Sequence, residues 1–139
     1  MKQYQSRISI ETSGQALYPI SKVVGGLVGG AGIGTGQVTL FCPHTSCSLT
    51  IQEAADPDVA LDLAEFFQRL VPEGMDWLRH TVEGPDDMAA HIRAALTDVS
   101  LTVPIIRGEM SLGAWQGIFL FEHRTMPHRR SIILHVIGD

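Results

Sequence analysis

His80-Thr81-Val82-Glu83-Gly84-Pro85-Asp86-Asp87-Met88-Ala89-Ala90-His91 marks the place where a loop turns into a helix. Pro85 disfavours helical backbone at Gly84, and the two carboxylates after it suit the positive end of a helix dipole. The spacing predicts a helix over 86–97, with Met88, Ile92, Ala95 and Leu96 inward. Asp87 and His91, four residues apart, then share one face, while His80 stands just before it on a loop able to fold back. Two imidazoles and a carboxylate that converge would make a metal site or an acid/base site. The plainer reading makes Asp86 or Asp87 the helix cap and His91 a half-buried helix residue.

Working outward, a first helix opens at Asp56-Pro57-Asp58, a cap followed by proline at the first helical position, and stops at Pro72. Its apolar stripe, Val59, Leu63, Phe66, Phe67 and Leu70, reads as core. Strands surround this pair of helices. Residues 4–12 alternate apolar and polar, Gln37 to Cys42 reads as a strand ended by Pro43, and Leu49 to Gln52 reads as another. Ser100 to Ile106 is a strand with Pro104 at an edge or bulge, followed by a turn at 107–109 and strands over 110–122 and 131–137. Residues 18–29 read as a short helix, with Ser21 as its cap, that frays into a glycine-rich connector ending at Gly36. This connector contains no Gly-x-Gly-x-x-Gly, lacks a lysine-serine ending and precedes a strand, which argues against a nucleotide cofactor. Strands framing central helices give an α+β class with a mostly antiparallel sheet.

The 139 residues suffice for one domain, 1–139, with a real core, and the apolar share of 45% is ordinary for a globular chain. A formal charge of −5 argues against nucleic acid as a partner. No apolar run is long enough to span a membrane and the N-terminus has no signal core, so a cytoplasmic location is expected. Cys42 and Cys47, four residues apart with no second pair, do not make a zinc knuckle and read as buried free thiols.

Several further residues carry chemistry. His44 follows a strand end, beside Thr45 and Ser46, whose hydroxyls suit phosphate or a turn. Three imidazoles, His44, His80 and His91, would leave a fourth position open on a zinc-type ion. Gly113-Ala114-Trp115-Gln116-Gly117 interrupts a strand with small residues, which marks a bulge or a close approach by a ligand or backbone. Arg124, His128, Arg129 and Arg130 form the one basic cluster, read mainly as a solvated hairpin although able to clamp an anion.

His44-Thr45-Ser46, Leu49-Thr50-Ile51, Glu53, Ala55-Asp56-Pro57-Asp58, Phe67-x-Arg69-Leu70-Val71-Pro72, His80-Thr81, Asp86-Asp87-Met88-x-x-His91 and Leu112-Gly113-x-Trp115-Gln116-Gly117-Ile118 occur in the order of the YjbQ-like family, which the chain resembles over roughly residues 37–138. Gln52 and Ala54 stand where asparagines are usual, Ser48 replaces a common glycine and Ala114 a usual threonine or serine. The resemblance implies a homotrimer of small α+β chains, each with a mixed, half-barrel-like sheet and two or three helices. It also implies a weak thiamine-phosphate synthase activity, a transfer that joins a pyrimidine-methyl diphosphate to a thiazole phosphate. On that basis His44, His80, His91, Asp87 and Glu53 are the catalytic candidates. Thr45, Ser46, Gly113, Trp115, Gln116 and Arg130 are the candidates for substrate or anion contact. His44, His80 and His91 would hold a divalent ion, with Asp87 orienting an imidazole; zinc or nickel suits such nitrogen ligands, whereas magnesium prefers oxygen. A metal-dependent hydrolase and a non-catalytic binder of a phosphorylated small molecule are the alternatives.

Overall fold

A computed structural model describes residues 1–139. In chain order the elements are β1 (Lys2–Thr12), β2 (Ala16–Pro19), α1 (Ser21–Gly30), β3 (Thr35–Phe41), β4 (Cys47–Glu53), α2 (Pro57–Leu70), α3 (Asp87–Leu96), β5 (Ser100–Ile106), β6 (Glu109–Met110), β7 (Gln116–Glu122) and β8 (His128–Gly138). Five strands pair in the order β1-β8-β3-β5-β6 and three in the order β2-β7-β4. The fold is α+β, with the strands curled as a half barrel and three helices against it. Every strand pairing is antiparallel, so the mixed sheet expected from the resemblance is an antiparallel one.

Period-two alternation explains how β7 serves two layers. Ile118 and Leu120 enter the main cluster with Val38, Leu40, Leu49, Ile132 and Leu134, while Phe119 and Phe121 face the other way towards α2. Both faces of β7 are therefore covered, and its sequence reads as an unbroken apolar run. Phe67 of α2 meets Phe121 edge to face, with ring centroids 5.3 Å apart. No residue of α2 is fully buried. Leu63 and Phe67 pack on the sheet, whereas Leu61, Phe66 and Leu70 stay more than half exposed, so only part of the expected stripe is core.

Local chemistry accounts for the element ends. Asp56 caps α2 by accepting a hydrogen bond from the Asp58 amide, with Pro57 in the first turn. Residues 18–20 are not helical as expected: Pro19 pushes Tyr18 into extended backbone, which becomes β2 against β7. Ser21 is not a cap either, because its hydroxyl accepts from the Ile118 amide. The helix α1 runs on through Gly29 and Gly30, and only the short turn at 31–34 remains of the expected connector. Strand 110–122 is interrupted: Gln116 folds back to accept from the Gly113 amide, which separates β6 from β7. Pro104 sits at an effective edge, its carbonyl accepting from the Ser111 amide on the side where the missing N–H would otherwise point.

Two buried arginines fix the layers. Arg93 of α3 donates to the carbonyls of Phe67 and Val71 at the C-terminal end of α2, a cation at the negative end of a helix dipole. Arg130 of β8 grips both carboxylate oxygens of Glu122 of β7, at 2.8 and 2.6 Å. Glu122 also accepts from the Thr12 hydroxyl and from the amides of His123 and Arg124. Burial alone would push the Glu122 carboxyl up, but the hydrogen bonds from Arg130 and Thr12 outweigh it and hold the carboxyl below its ordinary value. Because Thr12 and Arg130 belong to the five-stranded sheet and Glu122 to the three-stranded one, this cluster joins the two sheets.

Glu122→Gln leaves Arg130 buried without a counter-charge and is expected to cost about 3 kcal/mol in urea unfolding, in the range for breaking a buried pair. An effect below about 0.5 kcal/mol, the level of an ordinary surface change, would mean the cluster is not the joint. Stability from a depressed carboxylate is whole above its unfolded-state pKa and is lost as pH falls through the folded one, so the wild type should lose more stability than the variant on acidification. At Gly36 a Cβ would collide with the Ile137 carbonyl oxygen, and backbone must shift to admit it. Gly36→Ala should therefore destabilise by about 1–3 kcal/mol, as overpacking does, read from the thermal midpoint.

Candidate functional site

The loop before α3 returns His80 to the helix whose first turn carries Asp87. Asp87 Oδ2 lies 2.9 Å from His80 Nε2 and 3.0 Å from His91 Nε2. The three ligand-capable atoms lie within 4.8 Å of one another. Asp87 is nearly buried, its side chain 5% exposed, while His91 is 28% and His80 46% exposed, so the group opens to solvent on the imidazole side. A hollow of about 450 Å³ adjoins it, lined by His80 with Met75, Asp76, Leu78, Thr81, Pro85 and Met88.

The surroundings specify how each ligand is held. His91 Nδ1 lies 2.7 Å from the Thr45 carbonyl oxygen, which can only accept, so Nδ1 carries a hydrogen. Nε2 then faces the Asp87 carboxylate and needs a proton or a cation between them. On the other side, Arg124 Nη1 donates to Asp87 Oδ1 at 2.8 Å, leaving Oδ2 for the imidazoles. Arg124 Nε also donates to Asp86 Oδ2 at 2.9 Å, and the Thr125 amide and hydroxyl donate to the same oxygen. Burial works against ionisation of Asp86, but these hydrogen bonds bring its carboxyl down to about 2. Asp86 stands at the N-cap position of α3 yet makes no capping hydrogen bond; its carboxylate holds Arg124 instead.

The sequence-derived candidates divide. His80, Asp87 and His91 converge, with Asp87 at the centre of the group. His44 is not part of it: its Nε2 accepts from the Ser131 amide at 3.0 Å, and burial together with the nearby Arg130 charge lowers its pKa. Thr45 contributes its carbonyl to His91. Ser46 is buried, its hydroxyl accepting from Arg130 at 2.9 Å. Arg130 is 6% exposed and committed to Glu122 and Ser46. The expected solvated basic hairpin is thus two structural cations, Arg124 and Arg130, together with an exposed Arg129 near Glu11. Glu53 and Gln116 are register partners at the end of β4 opposite Cys47 and Glu122, roughly 20 Å away along the strand. With Trp115, which is 67% exposed, they line a separate shallow hollow. Gly113 serves the turn there, through the hydrogen bond of its amide to Gln116.

Sequence reasoning missed Arg124 as a partner of the acidic pair, and missed Thr45 as a carbonyl. It also missed a buried chain at His123, whose Nε2 lies 2.9 Å from the Ser48 hydroxyl, which in turn lies 2.6 Å from that of Thr97. Thr97 donates to Ser48, whose own hydroxyl hydrogen is left to face His123 Nε2, and His123 Nδ1 is buried without a hydrogen-bond partner. Burial, then the Arg93 charge, push His123 down to about 3. Ser48 and His123 thus resemble a nucleophile and its base, but both are sealed from solvent.

The family model described as UPF0047 protein, YjbQ-like, matches residues 6–139. A UPF0047 protein of Synechocystis is 50% identical over 138 residues, covering 99% of this chain and 94% of that protein. The UPF0047 protein YjbQ of Salmonella typhimurium is 36% identical, covering 98% and 99% respectively. An uncharacterised YjbQ/UPF0047 protein of Clostridium acetobutylicum, solved by crystallography, superposes with a TM-score of 0.87 at 34% identity over 95% of this chain and 99% of that one. The chain belongs to the YjbQ-like, UPF0047 family.

Proposed function

We propose that His80, Asp87 and His91 bind a divalent metal ion, and that this centre acts on a phosphorylated small molecule. The observation that carries the reading is the shared oxygen of Asp87, to which two Nε2 atoms point at 2.9 and 3.0 Å while the far nitrogen of His91 is committed to a carbonyl. Ligands about 2.0–2.1 Å from a tetrahedral ion stand roughly 3.3 Å apart, and both imidazole–Asp87 pairs are already near that spacing. A His–carbonyl bond behind the ligand is the usual support of a metal-bound imidazole. Two nitrogens and one oxygen favour zinc or nickel over magnesium.

A bound ion would supply Lewis acidity, polarising a phosphoryl oxygen and acidifying water. The chain supplies the rest. Arg124 keeps Asp87 turned with Oδ2 towards the imidazoles, Thr45 fixes the His91 ring, and the hollow beside His80 receives the body of the ligand. Formal charge supports an anionic ligand, because Asp86 and Asp87 against Arg124 leave a single negative charge that a divalent ion reverses. Three protein ligands with an open position suit a metal-dependent hydrolase. The thiamine-phosphate synthase reaction implied by the resemblance is a transfer that would use the same centre, and Arg130 does not serve it as an anion clamp. The exposed Leu61, Phe66 and Leu70 on α2 support association into the implied homotrimer.

Untagged protein purified without chelator should carry near-stoichiometric zinc or nickel. His80→Ala and His91→Ala should each weaken metal affinity by more than about a hundredfold, beyond the cost of losing an outer partner, with unchanged circular dichroism. Protein that is metal-free and refuses added zinc and nickel would end the metal reading. With metal loaded, phosphate release from small phosphate esters distinguishes a hydrolase, and ligand-dependent stabilisation without turnover identifies a binder. Light scattering should give three times the 15.1 kDa chain mass. The double change Leu61→Glu with Phe66→Glu should reduce that to one chain, whereas a monomeric wild type would remove the trimer.

A further inference from the structure

The loop that holds His91 begins and ends on a thiol. Cys42 follows β3 of the five-stranded sheet and Cys47 opens β4 of the three-stranded one, and their sulfurs lie 3.5 Å apart. We propose that Cys42 and Cys47 form an oxidation site, a reversible disulfide across the base of the 42–47 loop that displaces Thr45 and loosens the His91 ligand. This rests on the metal reading only for its effect on affinity.

The sulfurs need to approach by about 1.5 Å to reach the disulfide length of about 2.05 Å. That shift has a defined outlet. His44 is tied to β8 by the Ser131 amide and Ser46 is tied there by Arg130, so both flanks of Thr45 are fixed. Thr45 itself is exposed and attached through its carbonyl to His91, at 2.7 Å. Tightening the base of so short a loop therefore moves the one member that sets the His91 ring.

The pair is also chemically biased. Hydrogen bonding from the Cys47 thiol favours the Cys42 thiolate against its burial, and the Arg130 charge adds to this, while the same bond pushes the Cys47 thiol up. Cys42 serves as the attacking sulfur and Cys47 as the resolving one, and the reverse order gives the same disulfide. With a peroxide as oxidant, the Cys42 thiolate attacks one peroxide oxygen, breaking the O–O bond and releasing hydroxide, which gives a sulfenic acid. The Cys47 sulfur then attacks the Cys42 sulfur, its proton leaves with the departing hydroxyl as water, and the S–S bond forms. In total, two thiols and one hydrogen peroxide give one disulfide and two waters. Both thiols are at most 2% exposed and belong to the main core cluster, so a small oxidant is required.

The test treats the folded protein with hydrogen peroxide, with Cys42→Ser and Cys47→Ser as controls. It reads intact mass with peptide mapping, the ring nitrogen NMR shifts of His91, and zinc affinity. Expected are loss of two hydrogens mapped to Cys42–Cys47, a shift of the His91 ring signals, and zinc binding at least about tenfold weaker, all reversed by dithiothreitol and absent from both variants. No internal disulfide in the folded wild type overturns the proposal. So does a disulfide that leaves the His91 signals unchanged, or one that shifts them without weakening zinc binding in a protein that takes zinc up when reduced. Should the reduced protein take up no zinc, the metal reading fails by itself, and the disulfide together with the His91 shifts decides this inference. If a variant fails to fold, comparing reduced, oxidised and re-reduced wild type decides the same question.

Discussion

One buried carboxylate organises this molecule. Glu122 is fully buried and receives five hydrogen bonds, two of them from Arg130, at the corner where the three-stranded and five-stranded sheets meet. Taking an ion pair out of water costs several kcal/mol per ion, so such a pair contributes little net stability compared with an apolar replacement. What it contributes is position. Apolar packing between two curled sheets tolerates sliding, because it is non-directional, whereas a forked guanidinium on a carboxylate does not. The corner is fixed by the one interaction there that specifies both distance and orientation.

Position passes from that corner to the candidate metal centre by two routes. Through Arg130 it reaches Ser46, whose neighbour Thr45 presents a carbonyl to His91. Through the Glu122 oxygen that accepts from the Arg124 amide it reaches Arg124, whose guanidinium holds Asp86 and Asp87. The imidazole and the carboxylate are therefore aimed by separate arms of the same cluster. An outer layer of this kind is what separates a coordinating geometry from an accidental meeting of polar side chains.

The sequence made much of this legible, for identifiable reasons. Helix α2 was readable because Asp56 and Pro57 act within one turn, and the Asp87–His91 pairing followed from helical periodicity alone. β3, β5 and β8 were readable because one face alternates or a proline marks an edge. Strand β2 was hidden because Tyr18 and Ile20 also satisfy helical spacing, although Pro19 already excluded helix at Tyr18. Arg124 was hidden for a different reason: it lies 37 residues from Asp87, and its role depends on how the β7–β8 connection folds back. His44 shows the converse: its place on a strand-end loop suited a ligand, but the topology gives its Nε2 to a β8 amide. Local rules reached the helix-borne half of the site and could not reach the half contributed by the sheets.

The charge of the centre makes sense only against that of the chain. A formal −5 gives an anionic metabolite no general attraction to this protein, so any affinity must arise at short range. At the site the acidic pair and Arg124 leave a single negative charge, and all three are shielded from solvent, so their fields are little screened. In that setting one cation held by His80, Asp87 and His91, as proposed above, would decide the local sign. Without it the imidazoles meet a carboxylate, which repels a phosphate; with it the same atoms would present a net positive charge beside an open hollow. On the proposed reading, metal and anionic ligand would be coupled: each would improve the site for the other, through the geometry that Arg124 and Thr45 set.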